Sequence, residues 1–61
     1  MLTAFVKIDG ATKRITDEGI TQKEFAAELR GNGFKVIKIY SRNASWEHFT
    51  EWEFNNRKQA R

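Results

Sequence analysis

The segment 2–16 constrains the fold most, because it predicts a β-hairpin with a defined register. Residues 2–8 alternate apolar and other side chains with the two-residue period of a strand that buries one face. Asp9 and Gly10 follow, and this dipeptide favours the positive φ angles of a type I′ turn. A two-residue loop predicts the cross-strand pairs Ile8–Ala11, Val6–Lys13, Phe5–Arg14 and Ala4–Ile15.

The next predicted element is a helix that begins after Thr21. Thr21 is a natural N-cap, and Glu24 completes a capping box three residues later. Gly31 is predicted to end the helix in the left-handed conformation. A helix of about ten residues is too short to be stable alone, so it must pack on the sheet. The residues that share its apolar stripe are Phe25, Ala26 and Leu29.

A third strand is predicted over residues 34–41. Strand periodicity places Ile37 and Ile39 on one face and Lys38 and Tyr40 on the other. Burying the two isoleucines beneath the helix costs less free energy than burying Lys38 and Tyr40 there. Lys38 and Tyr40 then face the opposite side of the sheet.

Residues 46–54, with the sequence WEHFTEWEF, fit two kinds of secondary structure. In a helix, Trp46, Phe49 and Trp52 form a stripe with Ser45 as N-cap. We prefer a strand, because the alternation is long and rich in aromatic side chains. The predicted fold is α+β, a small antiparallel sheet with one helix packed on one face, in the order ββαββ. The alternative order, ββαβα, ends with a helix.

Residues 1–54 are predicted to form one domain, followed by a basic tail over 55–61 that we expect to fray. The chain has 61 residues and no cysteine, which excludes disulfides and zinc–thiolate sites. It has no apolar run long enough to span a membrane and no signal peptide, so a cytoplasmic location is expected. His48 is the single histidine, and no catalytic spacing surrounds it. We therefore predict a non-enzymatic protein without cofactor or metal.

The first functional hypothesis is a small nucleic-acid-binding module or regulator. The formal net charge is +3, and the predicted strands are expected to gather cations beside aromatic rings on the sheet face away from the helix. Such a face suits nucleic acid because Lys and Arg neutralise phosphates while bases stack on rings. The predicted binding residues are Phe5, Lys7, Arg14, Lys38, Tyr40, Arg42, Arg57 and Lys58.

The second hypothesis is a regulator or inhibitor that binds a host protein, of the kind that phages and plasmids encode. The acidic and aromatic stretch 46–54, or an open sheet edge, is the expected docking surface. The residues predicted for this role are Trp46, Glu47, Phe49, Glu51 and Trp52. A homodimer is a third option, because a core this small gains stability from self-association.

Overall fold

The computed structural model describes the backbone of residues 1–59 and the side chains of residues 1–56. The elements, in chain order, are β1 (Leu2–Ile8), β2 (Ala11–Asp17), α1 (Gln22–Gly31), β3 (Lys35–Tyr40) and α2 (Trp46–Gln59). The strands form one antiparallel sheet in the order β2-β1-β3. The α+β class and the small antiparallel sheet are thus confirmed. The last element is a helix, as in the alternative order ββαβα.

The central strand β1 is buried on both faces, and each face is covered by one helix. The face that α1 covers, the α1 face, packs Ala4 and Val6 against Phe25 and Leu29. The opposite face, the α2 face, holds a second cluster of Phe5, Ala44 and Phe49. The four predicted pairs between β1 and β2 are confirmed. Asp9 and Gly10 have φ angles of 50° and 79°, as a type I′ turn requires.

A β-bulge in β3 determines which of its side chains face each helix. Val6 pairs with Val36 and Phe5 pairs with Lys38, so Ile37 is an extra residue opposite β1. Ile39 lies against the α1 cluster as predicted, but Ile37 packs beside Phe5 in the α2 cluster. The prediction that Ile37 lies beneath α1 is wrong, because simple alternation assumes an unbroken ladder.

The preferred strand over residues 46–54 is corrected, because this segment forms the first turns of α2. Phe49 and Trp52 pack on the sheet, in the stripe that the helical alternative predicts. Helical spacing lets these rings cover Phe5, which a fourth strand beside β3 would leave exposed. α2 extends through Gln59 into the segment expected to be a tail, and residues 60 and 61 lie outside the described residues.

The ends of α1 follow capping rules, with one correction at the C-terminal end. The Thr21–Glu24 capping box is confirmed. Gly31 is the last helical residue, and the left-handed position is taken by Gly33, with φ 88°. The Gly33 N–H donates to the Arg30 carbonyl at 3.0 Å, and the Phe34 N–H donates to the Leu29 carbonyl at 3.0 Å. These two bonds form a Schellman motif, so the predicted stop at Gly31 is two residues early.

Alanine substitution at Gly31 and at Gly33 is expected to change the free energy of unfolding in opposite directions. No atom lies within 4 Å of a Cβ added at either position, so backbone conformation decides the effect. Gly33→Ala should lower the free energy of unfolding by about 1 kcal/mol, because an L-residue is strained at positive φ. Gly31→Ala should raise it by about 0.5–1 kcal/mol, because alanine favours the helix. Urea unfolding of both variants measures the difference, and equal effects would contradict the observed cap.

Candidate functional site

Two side chains from the sheet fix the connection between β3 and α2. The Thr3 hydroxyl donates to the Arg42 carbonyl at 2.7 Å and accepts from the Ala44 N–H at 3.0 Å. Arg14 donates from Nε to the Ala44 carbonyl at 2.7 Å and from Nη2 to the side-chain oxygen of Asn43. Because Thr3 is fully buried, its two bonds hold the loop firmly and set where α2 begins.

The first turn of α2 is capped by Ser45 and His48. Ser45 Oγ accepts from the His48 backbone N–H at 3.3 Å, and His48 Nδ1 accepts from the Ser45 N–H at 3.3 Å. The two side chains approach within 3.2 Å of each other. This reciprocal arrangement is that of a capping box, with histidine at the position where glutamate is usual. We therefore assign the Ser45–His48 contact to helix capping.

A surface groove of about 320 Å³ lies between β3 and α2. β3 and the following loop supply one wall, and one side of α2 supplies the other. The residues that line the groove are Lys38, Tyr40, Arg42, His48, Glu51, Trp52 and Asn55. Two cations, one carboxylate and two large rings thus converge on one open site.

The cations of the groove lie over aromatic rings. Lys38 Nζ is 5.4 Å from the ring centroid of Tyr40 and 5.4 Å from that of Trp52. Arg42 Cζ is 5.9 Å from the Tyr40 centroid. These distances fall within the range of cation–π attraction. Lys38 is therefore positioned between the two rings, with a second positive charge at the rim beside Tyr40.

Tyr40 links the two walls of the groove. Burial raises the pKa of the Tyr40 hydroxyl, and the neighbouring Arg42 cation acts in the opposite direction. The protonated hydroxyl donates to the His48 carbonyl at 3.5 Å, a long hydrogen bond. The Tyr40 ring also makes a T-shaped contact with Phe5, at a centroid distance of 5.9 Å. The ring is therefore anchored by the core and presents its outer surface to the groove.

The structure brings together three of the residues predicted for nucleic acid, namely Lys38, Tyr40 and Arg42. Arg14 is exposed, but its guanidinium holds the loop before α2. Phe5 is corrected: its side chain is 0% exposed, because α2 covers the sheet face on which it was expected to stack bases.

Three further predicted cations are not among the side chains described in the groove. Lys7 is exposed on β1 and pairs with Thr12 and Lys35, away from the groove. Arg57 and Lys58 lie on the last turns of α2, and their side chains are outside the described residues.

The residues predicted to bind a host protein are divided among three environments. Phe49 is buried and stacks on Phe5 at a centroid distance of 4.3 Å, so it is corrected from a docking residue to a core residue. Trp52 is half-buried in the wall of the groove. Glu51 is exposed and also lines the groove, whereas Trp46 and Glu47 are exposed on α2 outside it.

Sequence reasoning assigned no residue of the α2 wall of the groove to nucleic-acid binding. His48, Trp52 and Asn55 succeed one another at intervals of four and three residues, which places them on one side of a helix. This spacing was visible in the sequence, but a strand interpretation separates Asn55 from the other two. Treating the segment as a helix would have joined them beside Lys38 and Tyr40.

Two absences concern the part of the chain that the structure describes. It contains no helix long and apolar enough to cross a membrane. It also contains no cluster of three or more His, Cys, Asp or Glu side chains that could hold a metal ion.

Comparison of the chain with protein-family models, with curated proteins and with solved structures finds no match. Function is therefore inferred from the chemistry of the groove between β3 and α2.

Proposed function

We propose that the protein is a non-enzymatic nucleic-acid-binding module or small regulator that binds a single-stranded segment in the groove between β3 and α2. The observation that carries this proposal is the position of Lys38, whose ammonium lies 5.4 Å from the ring centroids of both Tyr40 and Trp52. A site for single strands needs cations for phosphates and ring faces for bases, and this cluster supplies both.

The ligand would compete with Lys38 for the aromatic rings. In the free protein, the ammonium of Lys38 occupies the ring faces of Tyr40 and Trp52. Its long side chain can rotate towards a phosphate and leave a ring face to an incoming base. Arg42, at the rim, would contact a neighbouring phosphate. The Lys38 ammonium would thus lie beside the rings before binding and beside a phosphate of the ligand after binding.

Fluorescence titration tests the proposal directly, because Trp52 lies in the groove. Trp46 is outside it, so the Trp46→Phe variant leaves Trp52 as the single tryptophan reporter. We expect a single-stranded oligonucleotide to quench this variant at low salt, and the affinity to fall steeply as salt rises. A duplex of the same sequence should bind more weakly, because its bases are not available for stacking.

The proposal would be overturned if a single-stranded oligonucleotide, added at low salt, neither quenched Trp52 fluorescence nor changed its anisotropy. A duplex preferred over the single strand would contradict the stacking of bases on Trp52. Free nucleotide monophosphates serve as a further control, since they carry the same chemistry without a continuous backbone.

The second candidate function is a regulator that binds a host protein through the outer surface of α2. The observation that favours it is the exposure of two large apolar side chains on this helix, Trp46 at 46% and Phe54 at 65%. Glu47 and Glu51 lie on the same helix, so a partner with a basic surface would suit this candidate. Loss of a pull-down on Phe54→Ala, with oligonucleotide binding unchanged, would support it.

A further inference from the structure

β2 is an edge strand of the sheet in the described part of the chain, and its ladder is regular. It spans seven residues, Ala11–Asp17, and pairs with β1 without a bulge. The other edge strand, β3, is shorter and carries the bulge beside Lys38. Bulges protect sheet edges against further pairing, whereas a regular strand remains open to it. Of the two edges, β2 is thus the one suited to strand addition.

The hairpin geometry identifies which backbone groups of β2 point outwards. The two residues that flank a two-residue loop form a hydrogen-bonded pair, and such pairs alternate along the ladder. Ala11 flanks the loop, so the odd-numbered residues of β2 bond to β1. Thr12, Arg14 and Thr16 therefore direct their N–H and C=O groups away from β1.

The side chains of β2 are complementary to a second copy of the same strand, in one antiparallel register. With the two-fold axis at Ile15, Lys13 lies opposite Asp17 of the second copy, and the same ion pair recurs on the other side of the axis. Arg14 then lies opposite Thr16. A two-fold axis at Lys13 or at Arg14 would instead place that cation opposite the same residue of the second copy, and like charges opposite each other are unfavourable. Of the registers centred on Lys13, Arg14 and Ile15, the charge pattern therefore favours the one centred on Ile15.

Packing also favours this register. Ile15 is half-buried and lies at the margin of the α1 cluster, and α1 packs chiefly towards β3, on the other side of β1. In the paired register, Ile15 lies opposite its own copy in a non-hydrogen-bonded pair, where side chains are closest. The Ile15 side chain of each copy would cover the part of the other Ile15 side chain that α1 leaves exposed to solvent.

We propose that two copies of the protein associate through β2, in antiparallel pairing about Ile15, to form one continuous six-stranded sheet. The interface is isologous, so the Lys13–Asp17 ion pair forms twice. The groove of each copy lies between β3 and α2 and is not part of this contact. The inference therefore does not depend on the proposed function.

A charge-swap series, followed by sedimentation equilibrium, tests the interface. Lys13→Asp and Asp17→Lys each place like charges opposite each other at both ends of the contact, so we expect the dimer dissociation constant to rise about tenfold or more. The double variant, Lys13→Asp with Asp17→Lys, restores both ion pairs and should return to within about threefold of the original value. Neither residue faces its counterpart within one copy, because they pair with Val6 and Leu2.

One variant and one independent measurement control for local damage. The Asp17 carboxylate accepts from the Glu18 N–H at 2.8 Å, and Asp17→Asn keeps this acceptor while removing the charge. Amide hydrogen exchange of the unmodified protein should show protection at Arg14 and Thr16, which face each other across this register, and the protection should rise with protein concentration. A protein that stays monomeric, a double variant that does not recover, or a dimer without this protection would each overturn the proposal.

Discussion

Replacing Phe5 by alanine is expected to lower the free energy of unfolding by about 3–5 kcal/mol. The ring is fully buried and stacks on Phe49 at a centroid distance of 4.3 Å. It also makes T-shaped contacts with Tyr40 and Trp46, at centroid distances of 5.9 and 5.1 Å. Small domains have a total stability of about 5 kcal/mol or little more, so the variant should be largely unfolded or lack a docked α2. Urea unfolding followed by circular dichroism measures the loss.

The same variant distinguishes the observed fold from the open sheet face that the sequence predicted. An exposed, base-stacking Phe5 would leave the stability nearly unchanged and weaken oligonucleotide binding alone. Phe5→Leu is the matched control, since it keeps an apolar side chain in the α2 cluster and should cost less than Phe5→Ala. A fully stable Phe5→Ala protein would contradict the packing of α2 on the sheet.

The second large effect is expected from charge reversal in the groove. Lys38→Glu combined with Arg42→Glu should weaken binding of a single-stranded oligonucleotide about a hundredfold or more at low salt, because attraction to two phosphates becomes repulsion. The slope of log affinity against log salt should fall by about 1.4, at roughly 0.7 for each phosphate of a single strand that is no longer neutralised. Quenching of Trp52 in the Trp46→Phe background reports both quantities.

A matched pair on α1 separates the groove from overall charge. Lys23→Glu with Arg30→Glu changes the net charge by the same amount, and both residues are exposed on α1, across the sheet from the groove. We expect this control to weaken binding only slightly, through long-range attraction that salt screens. An equal loss in both double variants would show that oligonucleotides respond to net charge alone, which contradicts a defined site at Lys38.

The parts of the fold that were predictable from the sequence are those set by short-range rules. The Asp9–Gly10 turn fixes the hairpin register, and the Thr21–Glu24 box fixes the start of α1. Both depend on residues within a few positions of one another. Gly31 and Gly33 were harder to separate, because each is compatible with a helix end and tertiary packing of Phe34 favours the later one.

The errors lie where long-range packing decides. The apolar spacing of residues 46–54 is compatible with a strand and with a helix, and the packing of Phe49 on Phe5 favours the helix. Lys38 and Tyr40 were placed correctly on the face away from α1. Trp52, which completes the aromatic pair around Lys38, was assigned to the alternative hypothesis, because its position depends on that helix.

The bulge in β3 also has a consequence for how the gene can change in length. Ile37 and Lys38 together oppose the single residue Phe5, so loss of one codon at this point restores a regular ladder without moving Tyr40 to the other side. Loss of one codon elsewhere in the strand reverses the orientation of every side chain beyond it. Residue 37 is therefore where this strand can shorten by one residue while the groove keeps Lys38 and its orientation.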